Sequence, residues 1–250
     1  MRLHAYKSVH YIYGLLIIFG SWQLLAVMTD SPIWLSPWDI LMHLYETFHS
    51  TIAVHALYSL RRTVLGISLS LAIGVPLGVL TGYFKKMDRL FSPMLYFSYP
   101  IPKMALLPVV MLLFGLGEAT KVIMIFLIIF FPIVVNIRDE VKNIPGEVYE
   151  PMYSLGAKPL QVINEIILPG IVPAILTSLR IGIGTAISIL FFTENFGTVY
   201  GMGYFIMDAW MRVNYMQMYS GIVVLSILGL ICFIMIDCLE VFICRWKSLR

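Results

Sequence analysis

The sequence predicts an all-α polytopic membrane protein with about six transmembrane helices. Hydrophobic residues make up 60% of its 250 residues and charged residues only 12%, whereas a soluble domain carries about 25% charged residues. The mean hydropathy is +0.88, and the apolar residues form long runs instead of the short alternating strands of a membrane barrel. This composition argues against a soluble enzyme, a nucleic-acid-binding protein and a disordered chain.

Six apolar segments approach the length of about 20 residues that a helix needs to cross the hydrocarbon core of a membrane. They cover residues 11–28, 63–84, 91–114, 121–137, 171–192 and 219–243. No small-residue cleavage site follows the first segment, so we expect an uncleaved span and not a removed signal peptide. The sequence divides into residues 1–62, with this span and an outer interfacial helix over 39–55, and a core of residues 63–250.

The distribution of Lys and Arg predicts that both termini lie in the cytoplasm. With that orientation, the basic residues on the inner side are Arg2, Lys7, Lys85, Lys86, Arg89, Arg138, Lys142, Lys158, Arg245, Lys247 and Arg250. The smaller outer set is Arg61, Arg62, Lys121 and Arg212. Arg61 and Arg62 depart from the rule, and we place them just before the second span on the outer side.

Two spans carry patterns that suggest how they pack. Small residues recur every four positions in the second span, at Gly66, Ser70, Gly74, Gly78 and Gly82. This spacing places them on one helix face, where another helix can approach closely. The third span contains Pro93, Pro100, Pro102 and Pro108. Because each proline removes a backbone donor, we expect an interrupted helix that faces protein or a cavity and lines a path for solute.

The loop of residues 138–170, on the inner side, is polar, but its sequence predicts a helix, a break and a second helix. The first helix is expected over residues 147–155, and Gly156 can adopt the positive φ that ends it. Pro159 suits the first turn of the second helix, and Leu-Pro-Gly at residues 168–170 is expected to end it. A short helix parallel to the membrane would allow a cytoplasmic protein to push on the spans.

A spaced motif in this loop resembles a known signature. Glu150 is followed at fixed spacings by Gly156, Ile166, Leu168 and Pro169. The permease subunits of binding-protein-dependent ABC importers carry Glu-Ala-Ala, three residues, Gly, nine residues, Ile, one residue and Leu-Pro. Here Pro151 and Met152 replace the two alanines, which alters the start of the helix. By this resemblance, the element that couples to the ATPase comprises Glu150, Leu155, Gly156, Ala157, Ile166, Leu168 and Pro169.

The resemblance extends from Trp34 onward and is to the nitrate, sulfonate and taurine branch of these permeases. The segments that carry it are Ser36-Pro37, Pro100-Ile101-Pro102 with Leu107-Pro108, Phe114-Gly115-Leu116-Gly117-Glu118, Leu179-Arg180-Ile181-Gly182 and Gly201-Met202-Gly203-Tyr204. It implies a type I-like importer permease in the inner (plasma) membrane, with a small anionic solute such as nitrate, a sulfonate or taurine. The implied partners are a second permease copy, two cytoplasmic ATPases that hold ATP and Mg, and an external solute-binding protein.

Charged and irregular residues within or beside the spans are candidates for the translocation path, since such residues are costly in lipid. The candidates are Pro100, Pro102, Lys103, Arg180, Glu194 and Asn195. Lys103 either lines the path for an anion, or its side chain extends to the membrane interface or pairs with an acidic residue. Arg180 is expected to pair with an acidic residue or with the backbone. Glu194 and Asn195 are expected either to gate the outer mouth of the path or to cap the next segment. Asp237 and Glu240 are expected to pair with Arg245 or Lys247.

The sequence contains no motif that predicts an enzymatic reaction in this chain. It has neither the GxxxxGK[ST] loop that holds nucleotide phosphates nor a GxSxG nucleophile motif, so we expect no enzyme and no cofactor. The three Cys and the His43, His49 and His55 series are spaced six apart, which does not suit a metal site. The alternatives are an ion- or proton-coupled secondary transporter that uses Glu194, Asp237 or Glu240, and an intramembrane enzyme, for which no paired catalytic groups stand out.

Overall fold

The structure is a computed structural model that describes residues 2–29, 31 and 33–244, with the backbone alone for residues 2–12. Every regular element in these ranges is a helix, which confirms the predicted all-α class. The α-helices are α1 (Arg2–Thr29), α2 (Pro37–Thr47), α3 (Ala53–Tyr83), α4 (Lys85–Ser98), α5 (Leu107–Phe114), α6 (Glu118–Asn143), α7 (Glu150–Ser154), α8 (Pro159–Val162), α9 (Leu168–Thr193), α10 (Met202–Met211) and α11 (Tyr215–Ile243).

The predicted count of six spans is not reproduced by the described residues. Four helices there are long and apolar enough to cross a membrane: Pro37–Tyr83, Glu118–Asn143, Pro159–Thr193 and Tyr215–Ile243. A fifth span is possible if α4 and the segment Lys103–Phe114, which are bent by 83° relative to each other, cross together. The apolar part of α1, Tyr13–Thr29, is shorter than these four.

The orientation of the termini stays a prediction. The prediction depends partly on basic residues near the termini, whose side chains lie outside the described residues: Arg2, Lys7, Arg245, Lys247 and Arg250.

Residues 39–55 are helical as predicted, but this helix does not end before a separate span, and its position at the membrane interface stays a prediction. Ser36 caps α2 by accepting a hydrogen bond from the Trp38 amide at 3.2 Å, and the helix then continues through a π-helical turn, Phe48–Ile52, into α3. A π turn absorbs an extra residue while the backbone groups stay paired, so the polar stretch at this point does not break the helix. The boundary between residues 62 and 63 falls inside α3, and so do Arg61 and Arg62.

The packing of α3 against α6 forms the centre of the bundle. Gly66 and Gly78 of α3 lie so close to α6 that an added Cβ would come within 2.5 Å of Ile125 Cγ2 and within 2.7 Å of Ile137 Cβ, respectively. The facing residues of α6 are buried and also recur every four positions: Ile125, Ile129, Ile133 and Ile137. The predicted small-residue face is therefore confirmed, since it admits a ridge of isoleucines at backbone distance.

The third predicted span is broken into two helices. After α4 ends at Ser98, the chain passes Pro100 and Pro102 and resumes as a 3-10 turn, Lys103–Leu106, that leads into α5. Because prolines cannot donate backbone hydrogen bonds, the last carbonyls of α4 need other partners. The Lys103 Nζ supplies them by donating to the Ser98 and Tyr99 carbonyls at 2.6 and 2.5 Å.

We predict that Gly78→Ala destabilises the protein because its Cβ would also meet the Val134 carbonyl oxygen at 3.0 Å. Overpacking of this kind costs about 1–3 kcal/mol of unfolding free energy. The matched control is Gly20→Ala in α1, where no atom lies within 4 Å of the added Cβ. The midpoint temperature of unfolding in detergent is measured by size-exclusion chromatography of heated samples. It should fall for Gly78→Ala alone. Equal midpoints for the two variants would contradict the packing argument.

Candidate functional site

The loop between α6 and α9 is built around a sharp turn at Gly156. A 3-10 turn, Gly146–Val148, precedes α7, and Gly156 then adopts φ +74° and reverses the chain before α8. Its amide donates to the Tyr153 carbonyl at 3.0 Å, and the Ala157 amide donates to the Met152 carbonyl at 3.0 Å. No atom lies within 4 Å of a Cβ at Gly156, so the requirement there is the left-handed backbone and not space. The positive φ predicted at Gly156 is confirmed.

The turn presents apolar side chains to the outside of the helical bundle. Leu155 has 85% of its surface exposed, and Leu160 and Tyr153 are exposed beside it. Glu150 and Gly156 are exposed as well. Exposed apolar side chains grouped on a polar loop are typical of surfaces that contact other proteins.

The remaining predicted coupling residues lie farther along the chain, at the junction with α9. Leu168 and Pro169 are exposed there, and Ile166 is partly buried. The prediction that residues 168–170 end the second helix is wrong. A π-helical turn, Ile163–Ile167, joins α8 to α9, so that Pro159–Thr193 runs as one helix. The wide turn before Pro169 accommodates a residue without an amide donor, and the helix continues.

Three tyrosines anchor this loop to the end of α3, a feature that the sequence analysis missed. The Tyr83 and Tyr153 hydroxyls are hydrogen-bonded at 3.0 Å, and the Tyr149 and Tyr153 rings stack with centroids 6.2 Å apart. Burial raises the pKa of the Tyr149 hydroxyl above its ordinary value, which keeps the group neutral. The spacing of Tyr149 and Tyr153 by one helical turn was the available signal.

A cavity of about 470 Å³ lies between α6 and α9, with Tyr99 at its edge. Its polar lining consists of Asn136, Asp139, Thr177, Ser178 and Thr185. The Asn136 amide nitrogen donates to Ser178 Oγ at 2.6 Å and to the Ala174 carbonyl at 3.3 Å, which ties the two helices together. Polar side chains on the exposed face of apolar spans favour a water-filled surface or a protein contact over lipid.

None of the six predicted path residues is among those that line this cavity. Lys103 caps α4, as described above, and Pro100 and Pro102 form the break beside it. Arg180 faces α11 and forms ion pairs with Asp237 and with Glu240, the latter at 2.9 Å. Asp237 and Glu240 therefore pair with Arg180. Their expected partners, Arg245 and Lys247, lie outside the described residues.

The other two predicted path residues lie at the opposite end of α9 from the loop. Glu194 is fully buried, and its carboxylate accepts hydrogen bonds from Ser59 Oγ at 2.8 Å, from Arg62 Nη1 at 2.6 Å and from the Gly203 amide at 2.8 Å. Three donors thus surround the Glu194 carboxyl group and fix its position in the packed interior. Asn195 has a buried Oδ1 without a hydrogen-bond partner among the described residues.

Arg62 extends this buried network to the start of α6. Its Nε donates to Glu118 Oε2 at 2.8 Å, and its Nη2 bonds the other oxygen of the same carboxylate. Lys121 is buried nearby and donates to the Leu116 and Phe196 carbonyls. The network thus joins α3, α6, α9 and the loop before α10. The sequence analysis flagged Arg62 only as an exception to the charge rule.

Glycines make room for this network. Gly201 has φ +147°, and an added Cβ would lie 2.4 Å from the Glu194 carboxyl carbon. An added Cβ at Gly203 would lie 2.5 Å from the Phe191 carbonyl oxygen. The Gly-Met-Gly-Tyr segment therefore brings the Gly203 amide within hydrogen-bond distance of the buried carboxylate.

Comparison with known proteins gives consistent matches. Residues 74–245 match the family model described as binding-protein-dependent transport system inner membrane component. The formylaminopyrimidine transport permease protein ThiX of Halalkalibacterium halodurans is 30% identical over 98% of each chain. The putative aliphatic sulfonates transport permease protein SsuC of Bacillus subtilis is 27% identical over 97% of this chain and 90% of its own. The predicted resemblance, including its branch, is confirmed.

A solved structure supports the same fold. The inward-facing MetNI methionine ABC transporter contains a chain that superposes with a TM-score of 0.68 at 20% identity. The match covers 77% of this chain and 95% of that chain.

We predict that Glu194→Gln destabilises the protein strongly, because the buried Arg62 guanidinium loses a charged partner. Breaking a buried ion pair from one side costs about 3–5 kcal/mol of unfolding free energy. The matched control is Glu118→Gln, whose carboxylate bonds the same guanidinium but is 48% exposed. The unfolding midpoint in detergent should fall much further for Glu194→Gln than for Glu118→Gln. Similar midpoints would show that Glu194 does not anchor the network.

Proposed function

The chain belongs to the family of binding-protein-dependent transport system inner membrane components, and we propose that it forms the translocation path of an ATP-driven importer for a small anionic solute. The observation that carries this proposal is the exposed apolar turn around Gly156, which lies within the Glu150 to Pro169 motif and is followed by the unbroken helix Pro159–Thr193. ATP and Mg would be held by separate ATPase subunits, since this chain has no phosphate-binding loop.

Coupling in this proposal works by contact. A cytoplasmic ATPase subunit receives the apolar side chains around Leu155 in a surface groove, and movement of that groove displaces the loop. The motion passes into α9 through the unbroken helix and into α3 through the Tyr83–Tyr153 hydrogen bond. Two ATPase subunits would serve two copies of the chain, with both termini on the cytoplasmic side.

The path itself would run along the polar face of α6 and α9, closed by the same face of a second copy. The described lining of the cavity there contains hydroxyl and amide groups and Asp139, with no Lys or Arg. An anionic solute would therefore be held by hydrogen-bond donors such as the Ser178 hydroxyl and not by an ion pair. Weak binding of this kind suits a path that must release what it accepts.

Selection of the solute would fall to an external binding protein that docks at the Glu194 end of the bundle. The relatives named for aliphatic sulfonates and formylaminopyrimidine point to small polar solutes.

Replacement of Gly156 by valine tests the coupling loop. A β-branched residue at φ +74° is strained, so the turn should be displaced and the contact with the ATPase weakened. The control is Gly146→Val, at a loop glycine without a positive φ and with no atom within 4 Å of the added Cβ.

The measurement is purification of the tagged chain in mild detergent, with mass spectrometry of the proteins that accompany it. We expect the unmodified chain and Gly146→Val to retain a stoichiometric ATPase subunit and ATP-dependent uptake of taurine or an alkylsulfonate in vesicles. Gly156→Val should insert in the membrane but lose uptake by tenfold or more. Full uptake in Gly156→Val would overturn the assignment, and uptake that needs an ion gradient but no ATP would overturn the importer proposal.

The path is tested by Ser178→Ala, which removes the acceptor of the Asn136 amide inside the cavity. We expect solute uptake to fall several-fold while the ATPase subunit still co-purifies. Ser226→Ala is the control, because this exposed hydroxyl of α11 bonds only its own helix at the Ile222 carbonyl. Equal uptake by both variants would place the path elsewhere.

A further inference from the structure

A second cavity, of about 810 Å³, opens at the loop end of the bundle. Four elements contribute to it: the end of α3, the start of α4, the end of α6 and the loop that follows α6. Its polar lining is Tyr83, Lys85, Asp88, Arg89, Ser92, Arg138, Lys142, Tyr149 and Tyr153. Four basic side chains thus share the cavity with one acidic side chain.

The single acid is already neutralised. Asp88 accepts hydrogen bonds from Arg138 Nε at 2.7 Å, from Lys142 Nζ at 2.6 Å and from Ser92 Oγ at 2.6 Å. Arg138 also lies 3.6 Å from Asp139 Oδ1. With Lys85 and Arg89, the cavity lining still retains excess positive charge.

The other two cations have no such partner. Lys85 and Arg89 lie one helical turn apart on α4, and neither forms an ion pair or a side-chain hydrogen bond within the part of the chain that the structure describes. Uncompensated cations that line a concave surface together attract an anion, which the fork of an arginine can bind with two hydrogen bonds.

Two further features of the cavity suit a phosphate group. Helix α4 begins at Lys85, where no described side chain caps it, and the helix dipole favours an anion at this end. Tyr149 and Tyr153 of the loop also line the cavity and bring neutral hydroxyl groups to it.

We propose that this cavity is a binding site for a phosphate group, with Lys85 and Arg89 as its principal ligands. The position of the site on the cytoplasmic side rests on the proposed function, and there the phosphate would come from an anionic phospholipid headgroup or from the cytosol. Because the lining joins the coupling loop to the ends of α3, α4 and α6, a bound phosphate would hold that loop in its present position.

Two adjacent lysines provide a matched test. Lys85 lines the cavity, whereas Lys86 is exposed beside it and is not among the lining residues. Lys85→Gln and Arg89→Gln remove a ligand, and Lys86→Gln removes the same charge outside the site. The full chain, purified in mild detergent with any bound ATPase subunit, is mixed with phosphatidylglycerol and examined by native mass spectrometry.

We expect one tightly held phospholipid on the unmodified chain and on Lys86→Gln. Its occupancy should fall about fivefold in Lys85→Gln and in Arg89→Gln, which corresponds to the contribution of one basic side chain to an anionic lipid contact. In a second arm, inorganic phosphate replaces chloride at equal ionic strength and the unfolding midpoint is measured. A phosphate-dependent rise that both site variants abolish, without a lipid adduct, assigns the site to free phosphate.

The proposal is overturned if neither arm separates the two site variants from Lys86→Gln, because the binding would then reflect diffuse surface charge. Its failure is distinct from failure of the importer proposal, since ATPase co-purification is scored on the same samples. None of the three substituted side chains has a described partner, so loss of folding is not expected, and the midpoint without ligand checks this directly.

Discussion

The contact between the glycine face of α3 and the isoleucine ridge of α6 is the constraint on which the rest of the structure depends. It brings two long helices to backbone distance, and each end of the pair then carries a polar group of its own. At one end, Arg62 of α3 reaches Glu118 at the start of α6. At the other, Tyr83 of α3 and Arg138 of α6 stand beside the loop. A wider separation of the helices would pull both groups apart.

The two ends differ in how their charges are handled. The Glu194 network is buried except at Glu118, and each of its charges has a partner, which suits a part of the protein that holds one arrangement. The loop end is open, with exposed leucines around Gly156 and with Lys85 and Arg89, which have no ionic partner among the described residues. Such groups remain available to other molecules, and for this reason the proposed contacts with the ATPase and with a phosphate group both fall at this end.

Local backbone chemistry was predictable from the sequence, whereas the partners of charged side chains were not. The spacing of Gly66 to Gly82 and the Gly156 turn depend on residues close in the chain, and both were predicted. The pairing of Arg62 with Glu194 joins residues far apart in sequence, so no local pattern reports it. Residues 39–55 and 168–170 were misjudged for a third reason: π-helical turns let a helix continue past polar residues and a proline that ordinarily signal its end. The cavity lined by Asn136 and Ser178 was missed because hydroxyl and amide groups do not stand out in an apolar span as charges do.

The continuity of Pro159–Thr193 has a mechanical consequence. A helix of this length is a rod of about 50 Å, at 1.5 Å per residue. One end of the rod is the loop beside Gly156, and Glu194 is the first residue beyond the other end. A tilt of about 5° about the loop end would carry the far end sideways by about 4 Å, given that length. Such a displacement is larger than the 2.6 Å that separates Glu194 from Arg62. A small rotation at the loop end therefore produces a displacement of several Å at the Glu194 end.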